Sequence, residues 1–199
     1  NNADWTSFIS GVNAPLSGRP VGWDLLDNDI AGFSTNNGVT SLNTGFGTNG
    51  YVTRRMTICM ALGINPANNN VMLVGTEAIN ELRFEPNVDG IFTRVRVAIA
   101  DGTTGAQVAL VDMNAQHLDI ANGGTGDGTL AYISPNLPQS VRNKSIGDPR
   151  GVAFNPAGTR AYVSGMGSGN VVVLDPATGG RLGGVGYAIS LGFPAPGPT

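Results

Sequence analysis

The chain has 199 residues, enough for a well-formed core, and its 14 carboxylates against 11 Lys and Arg give a formal charge of −3. Only one of those cations is a lysine, Lys144, so no basic face can form to neutralise phosphates, and nucleic acid is excluded as a partner. Charged residues make up just 13% of the chain while Gly, Asn, Thr and Ser abound, the composition of a turn-rich β protein whose surface is polar without being ionic.

Residues 1–22 read as an irregular lead-in, and a start at Asn1 without Met suggests a processed or partial product. Asn28-Asp29-Ile30-Ala31-Gly32-Phe33 is a degenerate strand that closes on the turn Asn37-Gly38. Gly45-Phe46-Gly47-Thr48-Asn49-Gly50 spells a dinucleotide-binding pattern. That chemistry needs a helix N-terminus next, whereas Tyr51-Val52-Thr53-Arg54-Arg55 reads as strand, so the glycines belong to a loop. Cys59 cannot pair within the chain and lies in the apolar run 56–62, where it reads as a small buried hydrophobe. No apolar run reaches the roughly 20 residues of a membrane-spanning helix.

Strands follow at 61–64, 71–74 and 81–84, with turns at 65–70, 75–80 and 85–90. Residues 93–99 and 107–111 bracket a hairpin turn, Asp101-Gly102-Thr103-Thr104-Gly105. Period two places Arg94 and Arg96 on one face, read as solvated. Asp112-x-Asn114-x-Gln116 has the opening spacing of a calcium-binding loop. His117 replaces its turn glycine and Gly123 its bidentate Glu, so a strand end and turn are expected. His117 is the only histidine; a local hydrogen bond to Asp112 or Asp119 suits it better than base catalysis, and zinc or copper sites are not expected. Gly123-Gly124-Thr125-Gly126-Asp127-Gly128 reads as a flexible loop rather than a calcium-binding nonapeptide. Strands return at 151–154, 160–164 and 171–174, the last apolar throughout and therefore expected to be covered on both faces.

The chain repeats itself. Gly63-Ile64-Asn65-Pro66-Ala67 leads to Gly75, Asn80 and Pro86, and Ala153-Phe154-Asn155-Pro156-Ala157 leads to Gly165, Asn170 and Pro176, each match displaced by 90 positions (155 − 65). Ser145-Ile146-Gly147-Asp148-Pro149 returns as Ser190-Leu191-Gly192-Phe193-Pro194, a displacement of 45 (190 − 145). A unit of about 45 residues matches one four-stranded propeller blade.

Gly151-Val152-Ala153-Phe154-Asn155-Pro156-Ala157-Gly158, Ala161-Tyr162-Val163-Ser164 and Asn170-Val171-Val172-Val173-Leu174-Asp175-Pro176-Ala177-Thr178-Gly179 together resemble the YVTN type of β-propeller repeat. The likeness is closest over 148–179 and fair over 57–90; the name tetrapeptide survives only as Tyr162-Val163-Ser164-Gly165. The resemblance implies an all-β chain of four-stranded antiparallel blades, with the propeller segment over 23–199. Blades are expected near 23–56, 57–100, 101–147 and 148–192, with the next starting at 193–199. It also implies a bacterial surface or periplasmic protein. Three to four blades do not close a ring, because propellers carry about 4–8, so the rest of a longer polypeptide or another copy is the expected partner.

In such propellers, contacts gather on loops joining second to third strands and one blade to the next. The resemblance places Glu77, Asn80, Asp148, Arg150, Met166 and Asn170 there as ligand or partner residues. No catalytic residue, metal ligand or cofactor is assigned. The expected function is non-catalytic binding or structure, with a protein or glycan as partner. The alternative is the propeller part of a lactonase-like enzyme or of a redox enzyme linked to c-type haem. Arg83-Phe84-Glu85-Pro86-Asn87 and Leu110-Val111-Asp112-Met113-Asn114 resemble haem-fused secreted propellers, yet the chain holds no Cys-x-x-Cys-His.

Overall fold

The computed structural model describes residues 27–79, 91–133, 136–183 and 187–192. The lead-in at 1–22, Asn80, the strand expected at 81–84 with its turn at 85–90, and the next unit's start at 193–199 lie outside the described residues. The described part is predominantly β, built from antiparallel sheets, none of which closes on itself.

Strand β1 (Asn28–Ala31) pairs with β4 (Tyr51–Thr53), and between them stands a hairpin of β2 (Phe33–Asn36) and β3 (Val39–Leu42). Its two-residue turn is Asn37-Gly38, at φ of 50° and 80°. Both central residues need positive φ in a turn whose twist suits a hairpin, which is why Asn-Gly occupies it.

Two four-stranded meanders follow. The first is β5 (Ile58–Ile64), β6 (Val71–Ala78), β7 (Thr93–Ala100) and β8 (Gln107–Asp112), each strand bonded to the next in sequence. The second is β9 (Pro149–Phe154), β10 (Ala161–Gly165), β11 (Asn170–Leu174) and β12 (Ile189–Ser190). Ile189–Ser190 thus adds a fourth strand to its own sheet. The first sheet also runs past the unit boundary expected between 100 and 101. The connection from 113 to 148 carries two short helices, α1 (Ala115–Ala121) and α2 (Gln139–Arg142), where only a strand end and irregular chain were expected.

The meanders match in their first and third turns. In the first turn of each, an Asn carboxamide oxygen accepts from backbone, within the turn in one and at the return in the other: Asn65 Oδ1 from Ala67 N, and Asn155 Oδ1 from Thr159 N and Arg160 N. In the third-to-fourth-strand turn, Asp101 Oδ1 accepts from Thr103 N and Thr104 N, and Asp175 Oδ1 from Ala177 N. Gly105 N and Gly179 N each donate to that Asp's carbonyl at 2.8 Å, at φ of 70° and 74°. So Asp-x-x-Thr-Gly at 101–105 matches 175–179, displaced by 74 (175 − 101). The third strand of the first sheet is therefore Thr93–Ala100, which corrects the matching of Pro86 with Pro176.

The core explains why these runs are apolar on both faces. Met72, Val74, Val97 and Ile99 face the second meander and pack with Ala161, Val163, Val172 and Leu174; all eight are at most 1% exposed. Burying each of the seven larger side chains contributes up to about 1.5–3 kcal/mol. On the other side of the first sheet, Leu73 and Ala98 pack against Met56 and Ile30, and Ala100 against Phe46 and Val52. The first meander is thus the middle layer of three. Cys59 does not join these layers: it is exposed, contrary to the buried reading, because strand β5 forms a sheet edge and a bulge between Cys59 and Ala61 interrupts its register.

Candidate functional site: the loop end of the two meanders

Antiparallel order sends the ends of β6 and β8, the starts of β5, β7 and β9 and the β10–β11 loop to one end of the sheets. The opposite ends coincide too, since Asn65 Nδ2 in the first turn of one meander donates to Gly158 O in that of the other at 3.0 Å. The loop end therefore collects residues from both sheets and from the 113–148 connection.

Three of the predicted contact residues meet there. Met166 N donates to Asp148 O at 2.9 Å and Gly167 N to Gly147 O at 3.1 Å, tying the β10–β11 loop to the approach to β9. Asp148 takes a left-handed φ of 50°, a conformation Asp tolerates better than most side chains. Its carboxylate accepts from Arg150 Nε at 2.8 Å. Met166 is 72% exposed, an apolar side chain projecting beside an ion pair. Asn170, predicted with them, is buried instead, because its carboxamide ties the loop from below: Nδ2 donates to Ser145 O at 2.8 Å and Oδ1 accepts from Ser168 Oγ at 2.7 Å.

Glu77 sits at the same end of the first meander, directly across from Arg94. Arg96 Nη1 lies 3.9 Å from Glu77 Oε2, and Arg94 Nε lies 4.0 Å from Asp112 Oδ2. Tyr132 donates its hydroxyl to Asp112, and the Arg94 guanidinium stands 5.8 Å from the Tyr132 ring centroid. Burial, then the charge and hydrogen bond of Asp112, push the Tyr132 hydroxyl far above its usual range. The two arginines expected to be solvated are thus partly buried and matched by two carboxylates, so the cluster has no surplus charge to draw an anion.

Behind this surface runs a buried polar network. Asn114 Oδ1 accepts from Ile146 N at 2.9 Å while its Nδ2 donates to Ile146 O at 2.9 Å. Arg181 donates to Met113 O, Lys144 O and Asn114 Oδ1 at 2.8, 2.6 and 3.0 Å. Burial lowers the Arg181 guanidinium to about 10. Asp119 is fully buried, its carboxylate accepting from Gly126 N and Leu130 N, so the glycine-rich loop is organised around it.

His117 Nε2 lies 3.0 Å from Ser145 Oγ, not beside Asp112 or Asp119 as expected. The pair has the spacing of a nucleophile and its base, but the two residues are 4% and 1% exposed and Nδ1 has no partner to orient it. Burial, then the charges of Arg181 and Lys144, lower His117 to about 3. A neutral imidazole sealed from solvent supports the fold and reaches no substrate. Sequence reasoning missed Asn114, Tyr132, Ser168 and Arg181 as members of this end, for their partners lie far off along the chain with no spacing rule to mark them.

Among the described residues, no group of three or more His, Cys, Asp or Glu could hold a metal ion, and no helix is long and apolar enough to cross a membrane. No protein-family model and no curated protein matches the chain. Among solved structures, a chain of Kuenenia stuttgartiensis Hydrazine Synthase is similar at 17% identity and a TM-score of 0.43, over 65% of this chain. The match spans 29% of that chain's length.

Proposed function

We propose that the chain is a segment of a β-propeller in an exported or cell-surface protein and serves non-catalytic binding through its loop end, with a protein or glycan as partner. The observation that carries this reading is the equivalence of the two consecutive meanders, which share their turn chemistry and stack face to face as blades do. Export follows from the resemblance of 148–179 to surface-type propeller repeats. The contact surface is Met166 with the Asp148–Arg150 pair, an exposed apolar anchor beside a fixed charge pair on backbone-tied loops. Variable loops on a rigid strand scaffold are a common binding design.

A photo-crosslinking amino acid introduced at Met166, in the protein expressed at its native location, should capture a discrete partner. The same probe at Asn37, on the β2–β3 hairpin, should not. Equal labelling from both positions would remove the loop end as the binding surface.

A further inference from the structure

The chain has three Asn-Gly pairs, at 37–38, 49–50 and 122–123, and their surroundings differ. Asn-Gly is the sequence at which a chain most readily modifies itself, since a glycine N–H has no side chain of its own to obstruct attack on the preceding carboxamide. Asn37-Gly38 and Asn49-Gly50 occupy turns of one kind, with both residues at positive φ: 50° and 80° in the first, 53° and 94° in the second. What the glycine N–H does separates them. Gly50 is buried and its N–H donates to Phe46 O at 2.9 Å, with Leu42 so close that a Cβ on Gly50 would come within 2.5 Å of its side chain. Asn37 and Gly38 are both exposed and nothing lies within 4 Å of a Cβ placed on Gly38. Among the described residues, neither the Gly38 N–H nor the Asn37 carboxamide has a partner. At 122–123 both groups are held: Gly123 N donates to Ile120 O at 3.0 Å and Asn122 Nδ2 to Leu130 O at 2.9 Å.

We infer that Asn37 is a self-modification site, where Gly38 N closes onto the Asn37 side chain while the fold protects the other two pairs. Gly38 N bonds to Asn37 Cγ, the carboxamide nitrogen leaves as ammonia with the proton from Gly38 N, and a five-membered succinimide ring remains. Water then opens the ring at either carbonyl, leaving aspartate or isoaspartate. The ring holds the ψ of its first residue at about −120°, the value that a type II′ turn gives its first central residue at the same positive φ. A type I′ turn reaches that value by rotating the one peptide plane between its central residues, and both turn types suit a two-residue hairpin. At 37–38 this rotation breaks no hydrogen bond seen among the described residues. At 49–50 it pulls Gly50 N away from Phe46 O inside a packed turn. Either product adds a negative charge to the hairpin. Isoaspartate also adds a methylene to the backbone of the turn that sets the register Asn36↔Val39 and Thr35↔Thr40, so the modified hairpin loses that pairing.

The full chain, kept folded in mildly alkaline buffer and sampled over days, tests the site by mass spectrometry of its peptides. Position 37 should show the mass gain of amide-to-acid conversion and take up oxygen from isotope-labelled water, with isoaspartate among the products. Positions 49 and 122 should convert roughly tenfold or more slowly, the effect of having to release a backbone hydrogen bond first. The same chain unfolded in urea, where no fold holds any of the three, should convert all of them at similar rates. Conversion at 49 or 122 as fast as at 37 in the folded chain overturns the inference. So does an unchanged Asn37 over a period in which the unfolded chain converts, and a ranking that persists in urea removes the fold as its cause.

Discussion

His117 turns the buried end of the structure into a measurable acid sensitivity. Its imidazole is lowered from an ordinary 6.5 to about 3, first by burial and then by Arg181 and Lys144. The unfolded chain therefore takes up a proton near pH 6.5 that the folded chain refuses until near pH 3. Stability from this group is complete above pH 6.5 and is lost as pH falls toward 3. At about 1.4 kcal/mol for each pKa unit the full loss would be about 5 kcal/mol. Between pH 7.5 and 5.0 the loss from this group is about 2 kcal/mol.

Urea unfolding at those two pH values, followed by circular dichroism, reads the difference directly. His117→Gln keeps a donor and acceptor near Ser145 but cannot titrate, so its stability should change by less than about 0.5 kcal/mol over the same window. Its stability at pH 7.5 can fall without affecting the comparison, since the quantity compared is the slope. A parent stability that is flat from pH 7.5 to 5.0, or a variant with the parent's slope, would refute the buried neutral imidazole.

Other positions give further checks. Arg181→Met leaves the acceptors Met113 O, Lys144 O and Asn114 Oδ1 without their charged donor and should cost about 2–4 kcal/mol in denaturant unfolding; a loss below about 1 kcal/mol would show that the clamp is dispensable. Gly105→Ala and Gly179→Ala impose the same left-handed φ on alanine, a cost of about 1–2 kcal/mol. Only the first drives a Cβ to 2.6 Å from backbone, at Gly47 N, while the second meets Val97 and Val111 side chains at 3.2 Å. Gly105→Ala should therefore lower the melting temperature more, and equal losses would contradict that close approach. Partial burial, then the hydrogen bond and charge of Asp29, push the exposed Cys59 thiol up to about 12. Its reaction with a disulfide reagent at pH 8 should be slow and should quicken roughly tenfold in Asp29→Asn; no change would exclude Asp29 as a cause.

The layered β architecture was legible in the sequence because turn chemistry is local. Asn-Pro-Ala, Asn-Gly and Asp-x-x-Thr-Gly each set a few dihedrals and supply the side-chain oxygen that holds their own backbone, so they can be read without knowing what packs above them. The third strand of the first meander was harder to place. Its equivalent is displaced by 74 positions while the first two strands are displaced by 90, because 16 more residues (90 − 74) separate second from third strand there than in the other meander. A proline at 86 matching Pro176 at the older spacing then drew the alignment into the longer connection. Cys59 misled for a related reason: an apolar run indicates strand, but which edge of a sheet that strand occupies is decided by partners elsewhere in the chain.

The loop end combines the legible and the illegible, and physics explains the division. Asp148, Arg150 and Met166 could be named because the resemblance to propeller repeats puts their loops at that end. What fixes them there could not, since a chain crossing from β8 to β9 over the ends of two sheets exposes backbone groups that need partners from whatever lies nearest. Asn114 pairs with both the N–H and the C=O of Ile146, doing for one residue what a neighbouring strand would do. Asn170 donates to the C=O of Ser145, and Ser168 Oγ accepts from the N–H of Gly147. These bonds link the β8–α1 junction, the approach to β9 and the β10–β11 loop into one support. The loops carrying Met166 and Asp148 are held by it, so in the binding proposed above little conformational entropy would be lost on contact. Under the binding proposed above, loosening the support through Asn114→Ala should lower the yield of the cross-link from Met166 while leaving the surface side chains in place; an unchanged yield would show that the support is not needed for the contact.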